Sequence, residues 1–227
     1  MPCKRLLLKL SGEAFGQASP FSPERISAVS QRIASVTDME LAVVVGGGNI
    51  LRGARSGWLA RVDADELGML ATVLNGLVLR SYLERAGRAA LIQSAVLTQF
   101  TEPISLRQAE KALTEGAIVI FTGGTGNPFV TTDTAAAIRA VMIGAELLAK
   151  ASNVPGVFTA DPNSGGEARL ISELSYDEFL EKRYGVMDLA AVEICKEHRV
   201  PIAVFDFEEE DALRRLAAGE RVGTLIH

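Results

Sequence analysis

The stretch "GGTGNPFVTTDTAA", residues 123 to 136, sets glycines, threonine hydroxyls and one aspartate between an apolar run and an alanine-rich segment. The run before it, Ala117 to Phe121, is short and β-branched, as a buried strand would be, and Ala135 to Ile143 reads as a helix. Strand-to-helix turns are where open α/β sheets bind ligands. A turn that only reverses the chain takes about two to six residues; this one is longer, and its polarity is patterned.

Two more glycine-bearing turns follow predicted strands: "KLSGEAFG" after Leu6 to Lys9, and "GGGNILRG" after Leu41 to Val45. Three such turns suggest one face on which backbone N–H groups approach phosphate oxygens closely. A triple glycine alone is equally a structural turn. Neither standard phosphate motif is present, because Ala54 stands where a Walker loop needs lysine and Leu51 where the dinucleotide fingerprint needs glycine. Lys9 closes an apolar strand, so its ammonium should emerge at the sheet edge beside Ser11 and Gly12, as a mobile charge suited to polyphosphate or simply in solvent. Arg52 follows the second turn with the same two readings. Asp65 either binds a ligand or complements the dipole of the helix that starts nearby.

Composition narrows the alternatives. The chain has 227 residues, 48% of them hydrophobic, and a net charge of −5. No Lys/Arg run tracks a nucleic-acid backbone, so nucleic acid is not an expected partner. No stretch approaches the roughly eighteen apolar residues of a membrane span. Lys9 and Glu13 interrupt the apolar start as a signal peptide would not allow, so the reading is a first strand in a cytoplasmic protein. Histidine is limited to His198 and His227, neither near a nucleophile elbow, which disfavours Ser-His-Asp chemistry. Cys195 and His198 share one helix turn, but two ligands do not make a metal site.

Strands are expected at Arg5 to Lys9, Leu41 to Val45, Ala89 to Gln93, Ala117 to Phe121, Glu146 to Lys150, Ile202 to Phe205 and Gly223 to Ile226. Helical patterns lie between most of them; Pro23-Glu24 opens the first, and Asp63 is the expected N-cap of a long one reaching about Ala86. Alternation of this kind predicts an α/β three-layer sandwich, a mainly parallel sheet covered by helices on both faces. One domain over 1–227 is expected, with lobes dividing near residue 145. In the long helix, Leu67, Leu70, Leu74, Leu77 and Val78 form one apolar seam, and Met69, Val73, Leu79 and Leu83 a second. A surface helix usually shows one stripe. The second means either burial within the subunit or an interface with another copy.

Together, "KLSGE" at 9–13, "GGGNILRG" at 46–53, "DELGMLATVLNG" at 65–76, "GTGNPFVTTDTAA" at 124–136, "GVFTADP" at 156–162, "VMDLAA" at 186–191 and the closing "GTLI" resemble bacterial uridylate (UMP) kinases of the amino acid kinase superfamily. The resemblance implies phosphoryl transfer from ATP to UMP with Mg2+, usually in a homohexamer controlled by GTP and UTP. It implies that Lys9, Leu10, Ser11 and Gly12 cradle the ATP phosphates, with Gly48 and Arg52 on the donor side and Ser152, Phe158 and Asp161 near adenosine. For UMP it implies Gly47, Asp65 on the ribose, and the loop Thr125, Gly126, Asn127, Pro128, Phe129, Val130, Thr131 and Thr132. The chain departs from the family pattern at Glu146, Ser152, Asn153 and Pro155, the last of which lacks a backbone donor.

A nucleotide phosphate is largely ionised at pH 7, its second pKa being about 6, so such a reaction needs no general base. It needs charge neutralisation and in-line placement of two polyanions. Lys9 and Arg52 supply positive charge. Asp133 and Asp188 either position metal, water or these cations, or cap helices. Two rival readings remain at this level: a carboxylate or carbamate kinase of the same fold, and a nucleotide sensor without turnover.

Overall fold

The computed structural model describes residues 3–51, 57–160 and 168–227. In its first half, β1 (Arg5–Leu10) leads through α1 (Pro23–Ala34) to β2 (Glu40–Val45), and α2 (Arg61–Arg85) leads to β3 (Ala90–Ser94) and β4 (Glu102–Pro103). Then come α3 (Leu106–Thr114), β5 (Ile118–Thr122) and α4 (Thr132–Met142). The remainder runs β6 (Leu147–Ser152), β7 (Val157–Phe158), β8 (Leu170–Ile171), β9 (Glu173–Leu174), α5 (Tyr176–Lys182), α6 (Leu189–His198), β10 (Ile202–Asp206), α7 (Ala212–Ala217) and β11 (Thr224–Ile226).

Nine strands form one sheet in the order β4-β3-β5-β2-β1-β6-β10-β11-β9, and β7 pairs with β8 as a separate ribbon. Within the nine-stranded sheet the pairing is parallel except where β11 runs against β10; the β7–β8 ribbon is antiparallel. Alternate residues of each strand serve opposite faces. Thus Leu6, Leu8, Leu10, Val43 and Val45 pack with Ile26, Val29, Ile33, Leu79, Leu83, Leu213 and Leu216 of α1, α2 and α7. Leu7, Ala42, Val44 and Leu148 pack on the other side with Leu113, Ala136, Ala140, Phe179 and Val192 of α3 to α6. Both faces are covered, as the continuous apolar strands require.

β1 sits in the middle of the sheet and is hydrogen-bonded to β2 on one side and β6 on the other, so the sheet runs unbroken across residue 145. The chain leaves β1 in one direction for β2 and reaches β6 in the other. That reversal opens a crevice beyond the carboxyl ends of these strands.

All seven expected strands are present, within one or two residues of the expected ends. The two-residue strands β4, β7, β8 and β9 were not foreseen. Asp63 is not the cap of the long helix: Ala60 holds that position, and Asp63 lies in the first turn. The helix after the threonine loop begins at Thr132 rather than Ala135, because the Thr131 side chain accepts the Thr134 N–H and caps it earlier. The two seams of α2 divide: Val73, Leu79 and Leu83 are buried, whereas Leu67, Leu70 and Leu74 are 43%, 45% and 50% exposed. Leu77 and Val78 pack partly against the core, so burial within the subunit leaves Leu67, Leu70 and Leu74 of the first seam uncovered.

Candidate active site

Lys9 and Lys150 are register partners on the neighbouring parallel strands β1 and β6, so both side chains leave the sheet on the same face. Two ammonium groups side by side repel. Asp133, in the first turn of α4, lies between them, with Oδ1 2.8 Å from Lys9 Nζ and Oδ2 hydrogen-bonded to Lys150 Nζ. Both lysines and the aspartate are almost out of solvent. The two ammonium groups outweigh the cost of burial and hold the Asp133 carboxyl well below the usual carboxylate range. Burial, together with the Lys9 charge, pushes the Lys150 pKa down to about 8 despite the attraction of Asp133. Lys9 is accordingly not the mobile charge expected from sequence, because it is 7% exposed and paired.

Asp188 joins this cluster from the start of α6. Its carboxylate caps that helix through Ala190 N–H and accepts the hydroxyls of Thr131 and Thr134 at 2.8 and 2.9 Å. Its backbone N–H donates to Asp133 Oδ2 at 3.3 Å. The capping reading of Asp188 holds, and the side chain also ties the N-terminus of α4 to that of α6 through the two threonine hydroxyls.

A cavity of about 430 Å³ opens over the lysines. It is lined by Lys9, Leu10, Ser11 and Gly12 from the first turn, Gly47 and Gly48 from the second, Thr132, and Lys150 to Asn153. A neighbouring cavity of about 120 Å³ is walled by Asp65, Gly68, Met69 and Thr72 of α2 and by Gly124, Asn127 and Val130 of the long loop. Gly47, Gly48 and Thr132 belong to both walls. At Gly47 a Cβ would lie 2.7 Å from the Gly68 carbonyl, so only glycine lets this loop sit against α2.

The long loop is held by its own groups. Thr125 Oγ1 accepts Asn127 N–H, and Gly126 has a positive φ that suits glycine. Phe129 is in the left-handed region at φ 67, and its N–H donates to Asp65 Oδ2 at 2.8 Å. Arg61 pairs with the same oxygen at 2.8 Å and stacks over the Phe129 ring.

Most sequence-predicted site residues therefore converge. Lys9, Leu10, Ser11, Gly12, Gly48 and Ser152 line the larger cavity; Gly47, Asp65, Asn127, Val130 and Thr132 line the smaller. Thr125, Gly126, Phe129 and Thr131 shape the loop instead of lining its wall, and Phe158 on β7 does not line the larger cavity among the described residues. Arg52 and Asp161 lie outside the described residues. Glu146 stands at the opposite end of β6, where it accepts Lys4 N–H. Cys195 is buried and His198 is exposed on α6. Lys150 was missed, although "LLAKAS" repeats the pattern of "LLLKLS": a lysine near the end of an otherwise apolar strand.

Two adjoining cavities that share Gly47, Gly48 and Thr132, with the paired lysines in the wall of the larger, lie at the carboxyl ends of the strands of an α/β protein with a mainly parallel sheet. The chain belongs to the amino acid kinase family, whose sequence profile matches residues 4–206. It is 44% identical over 231 residues to the chloroplastic uridylate kinase PUMPKIN of Arabidopsis thaliana, covering 98% of this chain and 68% of that protein. Among solved structures it resembles UMP kinase from Bacillus anthracis with a TM-score of 0.95 at 36% identity, covering 100% of this chain and 97% of that one. UMP kinase from Ureaplasma parvum matches with a TM-score of 0.92 at 28% identity, covering 100% and 99% of the two chains.

Proposed function

We propose that the chain transfers the γ-phosphoryl group of ATP to UMP, giving UDP and ADP, with ATP entering as its magnesium complex. The observation that carries this reading is the junction of the two cavities, where Gly47, Gly48 and Thr132 are shared and the Lys9–Asp133–Lys150 cluster lies beneath. The larger cavity is the donor site and the smaller the acceptor site. A UMP phosphate oxygen forms the new bond to Pγ as the bond from Pγ to the β-phosphate bridging oxygen breaks, and the electron pair leaves with ADP. No proton has to be removed, since the attacking phosphate is already ionised.

The work of the protein is then electrostatic. Lys9 and Lys150 neutralise charge that spreads over the transferred group, and the N-terminus of α4 adds backbone N–H groups beside Thr132. Asp133 stays ionised and acts as the holder of both lysines rather than as a base. Magnesium bound with ATP would neutralise charge on the nucleotide phosphates; among the described residues no group of three or more His, Cys, Asp or Glu could hold a metal ion. Asp188 positions the threonines at the start of α4. Asp65 keeps one oxygen for the ribose of UMP while the other holds the loop.

The same proposal takes residues 1–227 as one domain, with an acceptor lobe to about residue 145 and a donor lobe over 146–227; the donor cavity also draws on Lys9 to Ala14. No helix of the described residues is long and apolar enough to cross a membrane. A cytoplasmic setting agrees with two free cysteines, Cys3 and Cys195. Assembly with other copies, up to a homohexamer, would cover Leu67, Leu70 and Leu74; light scattering at micromolar concentration should show more than a monomer, and a monomer would remove this part. Control by GTP and UTP rests on family resemblance and is tested by adding each to the assay.

The function is tested by ADP release with ATP and magnesium over UMP, CMP, dUMP, acetylglutamate and carbamate. Turnover should be strongest with UMP. Turnover confined to acetylglutamate or carbamate would move the chain to another branch of the fold, and binding of nucleotides without any turnover would make it a sensor.

A further inference from the structure

The inner face of α2 carries a side chain that the chemistry above does not use. Asn75 has no exposed surface. Its Nδ2 donates to the Gly46 carbonyl at 2.6 Å and to Asn49 Oδ1 at 2.7 Å, while its Oδ1 accepts Asn49 Nδ2 at 3.0 Å. Asn49 Nδ2 also donates to the Pro20 carbonyl at 2.6 Å. Each amide faces a backbone carbonyl, which demands a donor there and so fixes both amide orientations. The two side chains form a reciprocal clasp joining α2, the Gly46–Asn49 loop and the turn ending at Pro20.

The segment held this way contains Gly47 and Gly48, which line both cavities. Gly46 N–H donates to the Leu10 carbonyl at 2.8 Å, tying the loop to the end of β1 as well. A Cβ at Gly12 would lie 2.5 Å from Asn49 Oδ1 and from Gly48 N, so the first two glycine turns touch with no slack. One turn back along α2, the Thr72 hydroxyl accepts Gly123 N–H at 2.7 Å, so the same helix face also anchors the start of the acceptor loop. Packing alone does not call for an amide here: a leucine of similar size would fill the position without burying polar atoms.

We infer that Asn75 is a positioning residue for phosphoryl transfer. Through Asn49 and the Gly46 carbonyl it fixes Gly47 and Gly48 where the phosphates of the two nucleotides meet. Asn75 lines neither cavity, so its influence passes through the loop. This inference rests on the kinase reading of the site.

The test uses Asn75→Leu and Asn49→Ala, singly and combined, with steady-state kinetics on ATP and UMP and amide hydrogen exchange over residues 46–49. Each single substitution should lower kcat by about tenfold to a hundredfold, the scale of a small misplacement of reacting groups. KM for both nucleotides should change by less than about threefold, as expected when only the transition-state arrangement is lost. Exchange over 46–49 should quicken, and the double variant should be little worse than the worse single one, since both residues act as one unit. If Asn75→Leu does not fold, Asn49→Ala, in a half-exposed loop, reads the same clasp. A normal kcat with faster exchange, or unchanged exchange, would overturn the inference and leave Asn75 a purely structural residue. Absence of UMP turnover by the unsubstituted protein would overturn the kinase reading, and this inference with it, and is distinguished because it is seen before any substitution.

Discussion

The floor of the larger cavity and the rim of the smaller, the proposed donor and acceptor sites, use different means to hold their polar groups. On the donor side, Lys9 and Lys150 project from adjacent strands in the middle of the sheet, and Asp133 comes from the first turn of a helix packed against them. On the acceptor side, Asp65 and the loop from Thr125 to Val130 meet through exposed hydrogen bonds, with Phe129 held at a positive φ. The floor is fixed by the sheet before any ligand arrives. The rim depends on bonds that a ligand must share or replace. The contrast implies that changes in the floor alter the rate of transfer and the stability of the fold, whereas changes in the rim alter which acceptor binds and how tightly.

Asp133→Ala attacks the floor hardest, because it leaves two buried ammonium groups facing each other. Breaking a buried ion pair in this way costs about 3 to 5 kcal/mol, which urea unfolding will measure as a lower midpoint. Turnover should be lost as well. Stability unchanged within error would mean that the lysines do not depend on Asp133.

Asp65→Ala tests the rim. A hydrogen bond to a charged group is worth roughly 1.5 to 3 kcal/mol, and each 1.4 kcal/mol is about tenfold in affinity, so UMP binding should weaken by roughly tenfold to two-hundredfold while ATP binding changes little. The unsubstituted enzyme should favour UMP over dUMP, and the variant should lose much of that preference. An unchanged kcat/KM ratio for the two acceptors would limit Asp65 to holding Phe129 and Arg61.

The smallest effect expected is in pH dependence. Lys150 titrates at about 8 in the free protein, lowered by burial and by Lys9. It is charged below that pH and neutral above it, so kcat/KM for ATP should fall as pH rises through about 8. Lys150→Arg, whose side chain stays charged throughout, should flatten that limb even if it lowers the plateau. A limb that persists in the arginine variant would assign the titration to another group.

The difference between floor and rim also separates what the sequence made legible. Strands buried on both faces announce themselves as apolar runs, and all seven of the long ones were readable; a two-residue strand such as β7 carries no period to read. Lys9 stood out because a recognisable glycine turn followed it. Lys150 did not, since "KASN" has no glycine after it, although its place in an apolar strand was the available signal. That the two lysines are register partners is a fact of strand order, which no local pattern contains. Asp133 and Asp188 read from sequence as isolated carboxylates; the bond from Asp188 N–H to Asp133 Oδ2 depends on α4 and α6 being packed together, which no local pattern contains. Asp63 has the residue type of a cap, but the helix starts earlier, at Arg61, which pairs with Asp65 four residues on.

Action of the buried lysines on the transferring phosphoryl group, with the acceptor recognised elsewhere, is tested most directly by steady-state kinetics of Lys9→Ala with UMP varied at saturating ATP, after circular dichroism has established that the variant is folded. Loss of one preorganised charge at a developing negative charge costs on the order of 10² to 10³ in rate, so kcat should fall by that factor while KM for UMP stays within about threefold. A kcat close to that of the unsubstituted enzyme, or a loss confined to KM for UMP, would contradict it.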